Sequence, residues 1–345
     1  QHLTFYIDHP YTLKDIIRGW RSPAIKKRLR ALFLGKNKYH KIEDDAANLY
    51  AVCPLVVLPI NWLPPGRLYN FFSAVNNKIY LRSIRGILSD FSIKNYIYFN
   101  SYNPFYGCPL KIGVKPLLYL YQSRDNIEKS NYVKKHGPRL EKRVANYADI
   151  RMGTSRELTQ KLNKISPTIF FPNAANVKLF QSSLSDLKPP PEIRVGKKVI
   201  GYFGNLGLRI DYNLLKAIVE EFSEAQVLLI GPVSYKKYTA LDLEIYDNVT
   251  LTGPKKLHEL PAYLKYMDCT IMPFKINDLT SSIYPLKINE YLAGGKPVVS
   301  TDFSTDLKEF SDLIYLANGK KDFIQGIKDA LKNDRDTTIA RIKRA

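Results

Sequence analysis

Short runs of β-branched and aromatic residues alternate with helical-period stretches along almost the whole chain. In the first half, such runs predict strands at residues 3–7, 51–58, 95–99, 117–121, 150–153 and 168–171, with helices at 141–147 and 156–162 between the later ones. In the second half, strands are predicted at 198–203, 226–230, 249–251, 270–273, 297–300 and 313–316, separated by helices at 212–222, 258–267, 286–293 and 322–331. One helix can be counted directly. Leu214, Leu215, Ile218, Val219 and Phe222 form a single apolar stripe at helical period, and Asp211 stands ahead of it as an N-cap. This alternation is the pattern of parallel sheets covered by helices on both faces, so the expected fold class is α/β, with two doubly wound Rossmann-like domains facing a cleft.

A break in the pattern sets the expected boundary. Residues 181–196 hold Ser182, Ser183, Ser185, Pro189, Pro190, Pro191 and Gly196 with little apolar content, which reads as a semi-rigid extended linker. The expected layout is therefore an N-terminal domain at 1–180, a linker at 181–196 and a C-terminal domain at 197–345. A length of 345 residues agrees with two domains. The opening residues Gln1, His2 and Leu3 run straight into the first strand with no basic leader before it. The chain is therefore expected to carry no signal peptide and to open as if an earlier strand were missing.

Composition removes several classes. Apolar residues at 45% and charged residues at 24% exclude a disordered or fibrous chain. The longest apolar stretch, 50–63, is broken by Pro54, Pro59 and Asn61, short of the ~20 apolar residues a spanning helix needs. Cys53, Cys108 and Cys269 are odd in number and far apart, which argues against a disulfide framework or a cysteine-rich metal site and for a reducing, cytoplasmic setting.

Charge changes the picture more. The formal net charge is +20, and +18 of it falls in residues 1–180. Such asymmetry points to a polyanionic surface partner. Arg21, Lys26, Lys27, Arg28, Arg30, Lys36, Lys38 and Lys41 alternate with Leu29, Leu32, Phe33 and Leu34, a composition suited to an anionic bilayer at about 1 kcal/mol per cation near the surface. A solvated loop beside a core helix would have the same composition. Nucleic acid is the weaker reading, because no recognition motif accompanies the charge.

Three segments of the second half could carry chemistry. In the first, Pro285 to Gly294 reads as a helix that follows a loop of Thr280, Ser281 and Ser282, so unpaired N–H groups face a small polar loop, which is an anion site. Lys287 lies in its first turn and Glu290 one turn deeper on the same face, placing an ammonium for a diphosphate and a carboxylate for a ribose diol. A surface i,i+3 ion pair worth about 0.2–0.5 kcal/mol would look the same. In the second, the strand ending at Phe203 enters a loop with Gly204, Asn205, Gly207 and Arg209, where glycines let the backbone approach phosphate and a guanidinium can fork two oxygens; the spacing is not that of a nicotinamide or flavin fingerprint. In the third, Gly253, Pro254, Lys255 and Leu257 make a ledge after a strand that suits a nucleobase, and His258 reads as either a ligand contact or a solvated cap.

In order and spacing these segments resemble the C-terminal domain of the GT-B-fold glycosyltransferases, specifically the retaining family 4 (group 1). Residues 198–301 carry the match, most strongly from Pro285 to Thr301, and Asp268 to Phe274 is similar to the strand that leads into the donor loop. Phe171 to Asn176, and Ala148-Asp149 with Thr154-Ser155, resemble family stretches of the first half more loosely. The resemblance implies the GT-B fold and a nucleotide-diphosphate sugar as donor, a UDP- or GDP-sugar with the UDP-sugar favoured, and no required cofactor or metal. It implies that Glu290 holds the ribose and that Arg209 and Lys287 stabilise the leaving diphosphate, with Ser281, Ser282, Tyr284, Pro285 and Leu286 around them. Where the family places another glutamate, eight residues before Glu290, this chain has Ser282, and Asp278 is a candidate substitute.

On the acceptor side, Asp125 and His136 are the titratable candidates for positioning the acceptor hydroxyl. The expected function is transfer of a sugar, with retention, to a lipid-linked or cell-surface polysaccharide precursor by a peripheral enzyme on the inner face of the cell membrane. Lys26, Lys27, Arg28 and Arg30 would make the surface contact. A sugar-nucleotide epimerase of the same fold, or a non-catalytic scaffold on membrane or nucleic acid, are the alternatives.

Overall fold

The computed structural model describes residues 2–34, 38–42, 48–110, 113–130, 133–234, 243–332 and 335–345. It divides into two compact units, Gln1–Met152 with Lys161–Ile169, and Gly153–Gln160 with Phe170–Ala345.

The first unit opens with β1 (Leu3–Ile7), α1 (Leu13–Gly19), α2 (Pro23–Leu34), β2 (Tyr39–Ile42) and β3 (Asn48–Val52). These strands form a small sheet in the order β1-β3-β2, with β1 parallel and β2 antiparallel to β3. Then come α3 (Arg67–Asp90), β4 (Ile97–Ser101), β5 (Leu118–Ser123), α4 (Gly137–Tyr147), β6 (Ile150–Gly153), α5 (Arg156–Asn163), whose residues up to Gln160 belong to the second unit, and β7 (Ile169–Phe170). The second sheet runs β4-β5-β6-β7. Its core gathers Tyr80, Leu81 and Ile84 from α3 with Tyr119 and Tyr121 from β5 and Val144 from α4.

The second unit continues with α6 (Val177–Gln181), β8 (Val199–Phe203), α7 (Tyr212–Glu221), β9 (Gln226–Ile230), β10 (Val249–Gly253), α8 (Leu260–Lys265), β11 (Cys269–Met272), α9 (Leu286–Ala293), β12 (Val298–Thr301), β13 (Tyr315–Ala317), α10 (Lys320–Leu331) and α11 (Arg335–Arg344). Its sheet is parallel throughout in the order β10-β9-β8-β11-β12-β13. That is the doubly wound order, and it reverses between β8 and β11, where such sheets open a crevice for ligands at the strands' carboxyl ends. Every residue of β8, β9, β11 and β12 is buried, which is why these strands read as continuous apolar runs. The counted apolar stripe lies on α7, whose Leu214, Leu215, Ile218 and Val219 are buried and whose N-cap is Asp211, its carboxylate accepting from the Asn213 and Leu214 amides.

Residues 181–196 lie within the second unit. The Glu192 carboxylate accepts from Lys255 Nζ at 2.6 Å and from the Tyr263 hydroxyl at 2.9 Å.

Two differences from the sequence expectation have clear causes. The strand expected over 51–58 stops at Val52. Beyond it, the Leu55 amide donates to Ser83 Oγ and the Leu58 amide to Asn76 Oδ1, so α3 side chains take the place of a neighbouring strand. The long helix α3 was not expected at all. Its buried face carries Ser73, Asn76, Asn77 and Ser83 among the apolar residues, and these polar side chains interrupt the helical period.

Candidate active site in the second unit

The site is assembled where three adjacent strands end. Gly204, Gly231 and Gly253 close β8, β9 and β10 with φ of +149°, +140° and +68°, a region that favours glycine. Main-chain bonds link them in a row, from the Gly204 amide to the Ile230 carbonyl at 2.8 Å and from the Gly231 amide to the Gly253 carbonyl at 2.9 Å. A Cβ on Gly231 would collide with the Gly204 carbonyl, so the two chain segments are in direct contact. Beyond Gly253 nothing lies within 4 Å of where a Cβ would stand, and the ledge there is open.

The loop after Gly204 is held on both sides. Leu206 donates its amide to the Pro232 carbonyl, and Ser234 Oγ donates to Asn205 Oδ1 at 2.7 Å. Further on, the Lys275 amide donates to the Arg209 carbonyl at 2.8 Å and the Asp211 amide to the Pro273 carbonyl at 2.8 Å. Arg209 is thereby anchored through its backbone while its side chain stays exposed.

Helix α9 supplies the other wall. Pro285 is its N-cap rather than its first helical residue, and the left-handed residue at the far end is Gly295 with φ +69°, one position beyond Gly294. Tyr291 is fully buried and its hydroxyl accepts from the Phe203 amide at 3.2 Å, which pins α9 to the end of β8. Lys287 consequently lies across Gly204, so that a Cβ on Gly204 would collide with the Lys287 Cε.

The electrostatics of this corner are unbalanced. Burial pulls the Lys287 ammonium below its usual range; Glu290 opposes that shift and Arg209 adds to it. Burial pushes the Glu290 carboxyl up, against the pull of Lys287. Lys287 and Glu290 are thus poorly solvated, with the exposed Arg209 close enough to act on Lys287, and a bound dianion would relieve both the repulsion between the cations and the desolvation of Lys287. Arg209, Lys287, Glu290 and the glycine loop at 204 are brought together as a group.

The remaining expected residues fall around this group in different ways. Ser282 is fully buried and its Oγ donates to the Leu279 carbonyl at 3.5 Å, within the turn that precedes α9. Ser281 Oγ donates to the Asp278 carbonyl, and Asp278 is exposed in the same turn. The Tyr284 hydroxyl accepts from Asn289 Nδ2 at 3.2 Å, and the Leu286 amide donates to the Tyr284 carbonyl. Lys255 is engaged by Glu192 as described, and Leu257 and His258 are exposed.

In the first unit, Asp125 is half-buried just past the end of β5. His136 is buried, stacked on Tyr69 at 3.7 Å between ring centres, with Nε2 at 3.1 Å from the Leu63 carbonyl. Arg28 is spent internally, paired with Asp8 at 2.8 Å and lying over the Tyr11 ring, whereas Lys26 and Arg30 are exposed. The Lys27 side chain lies outside the described residues.

Gly231, Tyr202 and Tyr291 were not singled out from the sequence. Gly231 had a signal, because it follows the apolar run of β9 and precedes Pro232 just as Gly204 follows that of β8. The tyrosines had none, since each sits inside an apolar run and its role depends on what its hydroxyl meets.

The second unit is a doubly wound α/β domain with a row of glycines at the carboxyl ends of β8, β9 and β10, and the comparisons place it. Over its whole length the chain is similar to sucrose-phosphate synthase from Thermosynechococcus elongatus, with a TM-score of 0.65 at 13% identity, covering 100% of this chain and 94% of that one. It is similar to Anabaena HepE, solved in complex with UDP and glucose, with a TM-score of 0.54 at 14% identity, covering 99% of this chain and 93% of that one. The fold is GT-B. Residues 197–333 match the model of the family described as Glycosyl transferases group 1. A curated relative is the putative teichuronic acid biosynthesis glycosyltransferase TuaH of Bacillus subtilis (strain 168), 29% identical over 183 residues, which are 50% of this chain. The matched part spans 44% of that relative's length. Among the described residues, no helix is long and apolar enough to cross a membrane.

Proposed function

We propose that the protein is a glycosyltransferase that moves a sugar from a nucleotide-diphosphate donor, a UDP-sugar, to a lipid-linked or cell-surface polysaccharide precursor with retention. The observation that carries this reading is the Arg209–Lys287–Glu290 group set against Gly204, with the buried Lys287 ammonium lying across that glycine where a diphosphate would lie. In the proposed reaction the bond between the sugar and the diphosphate breaks, and Arg209, Lys287 and the first-turn amides of α9 take up the charge that develops on the leaving oxygen. The acceptor hydroxyl forms the new glycosidic bond and gives its proton to the departing phosphate. Glu290 holds the ribose, and Asp125 is the proposed acceptor-side carboxylate.

UDP in the Anabaena relative's structure supports the choice of base, and the teichuronic acid assignment of the B. subtilis relative supports a cell-surface polysaccharide. The basic excess of residues 1–180, together with exposed Lys26 and Arg30, supports work at the inner, anionic face of the cell membrane. The burial of Ser282 in a turn, where the family resemblance calls for a carboxylate, favours a second reading as a scaffold without turnover.

Thermal unfolding with UDP, GDP and ADP separates the two. A ligand at 100 times its dissociation constant adds about 2.7 kcal/mol of stability. A shift with UDP, together with release of UDP from a UDP-sugar on addition of acceptor, is expected. A chain that responds to none of the three is a scaffold.

A further inference from the structure

At the opposite end of the second unit's sheet lies a cavity of about 470 Å³ that plays no part in the site above. It sits under the N-terminal ends of β8, β11 and β12, and that volume lies within the size range of small-molecule sites. Arg194, Lys197, Lys198, Lys265, Lys296 and Arg341 line it, and Asp268 is the one carboxylate among its described lining residues.

The charge can be apportioned. Lys198 pairs with Asp268 at 2.9 Å, and Lys265 with Asp186, which stands outside the lining, at 3.2 Å. Arg194 Nη1 donates to the Asp247 carbonyl, and Lys296 Nζ donates to the Lys265 carbonyl at 2.6 Å. Both thus meet backbone carbonyls, which bring no formal negative charge. Helices α8, α9 and α10 end close by, each with about half a negative charge at its C-terminus. Arg341 is set aside, since it is buried with its Nε donating to the Leu313 carbonyl; among the described residues the five other lining cations still outnumber these helix ends and the two carboxylates. Burial is the main reason that the Lys296 ammonium is pulled down to about 8, with Asp268 opposing and Lys265 adding to the shift. A cation held at that disadvantage gains from an anion beside it.

We infer that this cavity is a second ligand site, for a soluble small molecule bearing two or more phosphate charges, held by Arg194, Lys197 and Lys296. Arg194 and Lys197 are exposed at the rim and free the test from folding defects, while Lys296 stands on the short connection between α9 and β12. The site uses none of the donor-site residues, so the two can be tested apart.

Inorganic pyrophosphate is the probe, titrated calorimetrically into the Lys287→Ala protein, in which the buried one of the two donor-side cations is gone. One pyrophosphate is expected to bind, and adding Arg194→Ala and Lys197→Ala is expected to weaken it about tenfold or more. At pH 8, binding raises the pKa of Lys296, so protons are taken up, and Lys296→Met removes that uptake. The Arg194→Ala/Lys197→Ala protein on the wild-type background should keep its response to UDP, which reports the donor site alone. Absence of pyrophosphate binding to the Lys287→Ala protein, or binding that the rim substitutions leave unchanged, overturns the inference. So does binding of phosphatidylglycerol vesicles through Arg194 and Lys197 without binding of pyrophosphate, which would make this face a lipid contact.

Discussion

Lys287 and Gly204 occupy neighbouring space so closely that a single methyl group on residue 204 and the Lys287 side chain cannot both keep their places. Gly204→Ala therefore meets two penalties, a φ of +149° that alanine avoids and a clash with Lys287. The expected loss is about 1–3 kcal/mol of stability, with no remaining shift in melting temperature from UDP. In the Gly204→Ala/Lys287→Ala double variant the contact with Lys287 is gone and that with the Tyr202 hydroxyl stays, and the two losses should sum to more than the double shows.

Lys287→Ala and Glu290→Ala each remove one half of the proposed grip, the first on the diphosphate and the second on the ribose. Either should abolish the UDP-dependent stabilisation while the unliganded melting temperature changes little. Unchanged UDP affinity in both variants would remove the donor site from this corner.

Gly231→Ala tests the glycine row without removing any side chain that would contact the ligand. Its Cβ would press on the Gly204 carbonyl, and backbone cannot yield as a side-chain end can. UDP affinity should fall together with stability, and calorimetry on the purified variant would show both.

Affinity for UDP should also depend on pH in a definite direction. Burial has lowered the Lys287 pKa in the free protein, and a bound diphosphate favours the ammonium and raises it. Affinity is then full below the free-protein value, declines as pH rises through it, and levels off above the value of the complex. Titrations between pH 7 and 10 would follow the decline, which Lys287→Arg should move out of that window.

Glu192→Gln probes the segment at 181–196. Burial alone would raise the Glu192 pKa, but hydrogen bonds from Lys255 and Tyr263 outweigh it and hold the carboxyl low. A depressed carboxylate adds stability above its unfolded value that is lost as pH falls through the folded one. The substitution should cost about 1 kcal/mol at pH 7 and progressively less in acid, as read by urea unfolding.

The second unit was the more legible half. Its strands are buried on both faces, so the runs around Val199–Phe203 and Gln226–Ile230 carry their structure in plain apolar content, and the flanking proline and glycines placed α9 to within one residue at each end. The first unit hides its helix. Asn76 in α3 bonds both the amide and the carbonyl of Leu58, and Asn77 reaches the Pro109 carbonyl and the Gly107 amide, so the inward face of α3 reads as polar although it is buried. At the site, charges at helical spacing could be found by counting, whereas the contact of Gly231 with Gly204 depends on which strands are neighbours, and no local pattern records that.

The row of three left-handed glycines divides the crevice into parts with different freedom to vary. The proposed diphosphate side sets bare glycine backbone against Lys287 and tolerates almost no added atoms, while the ledge past Gly253 and the exposed residues Ile276, Asn277 and Asp278 present side chains that can be exchanged. A lineage of such chains could shift from one base or sugar to another by altering those two borders and leave its phosphate grip untouched.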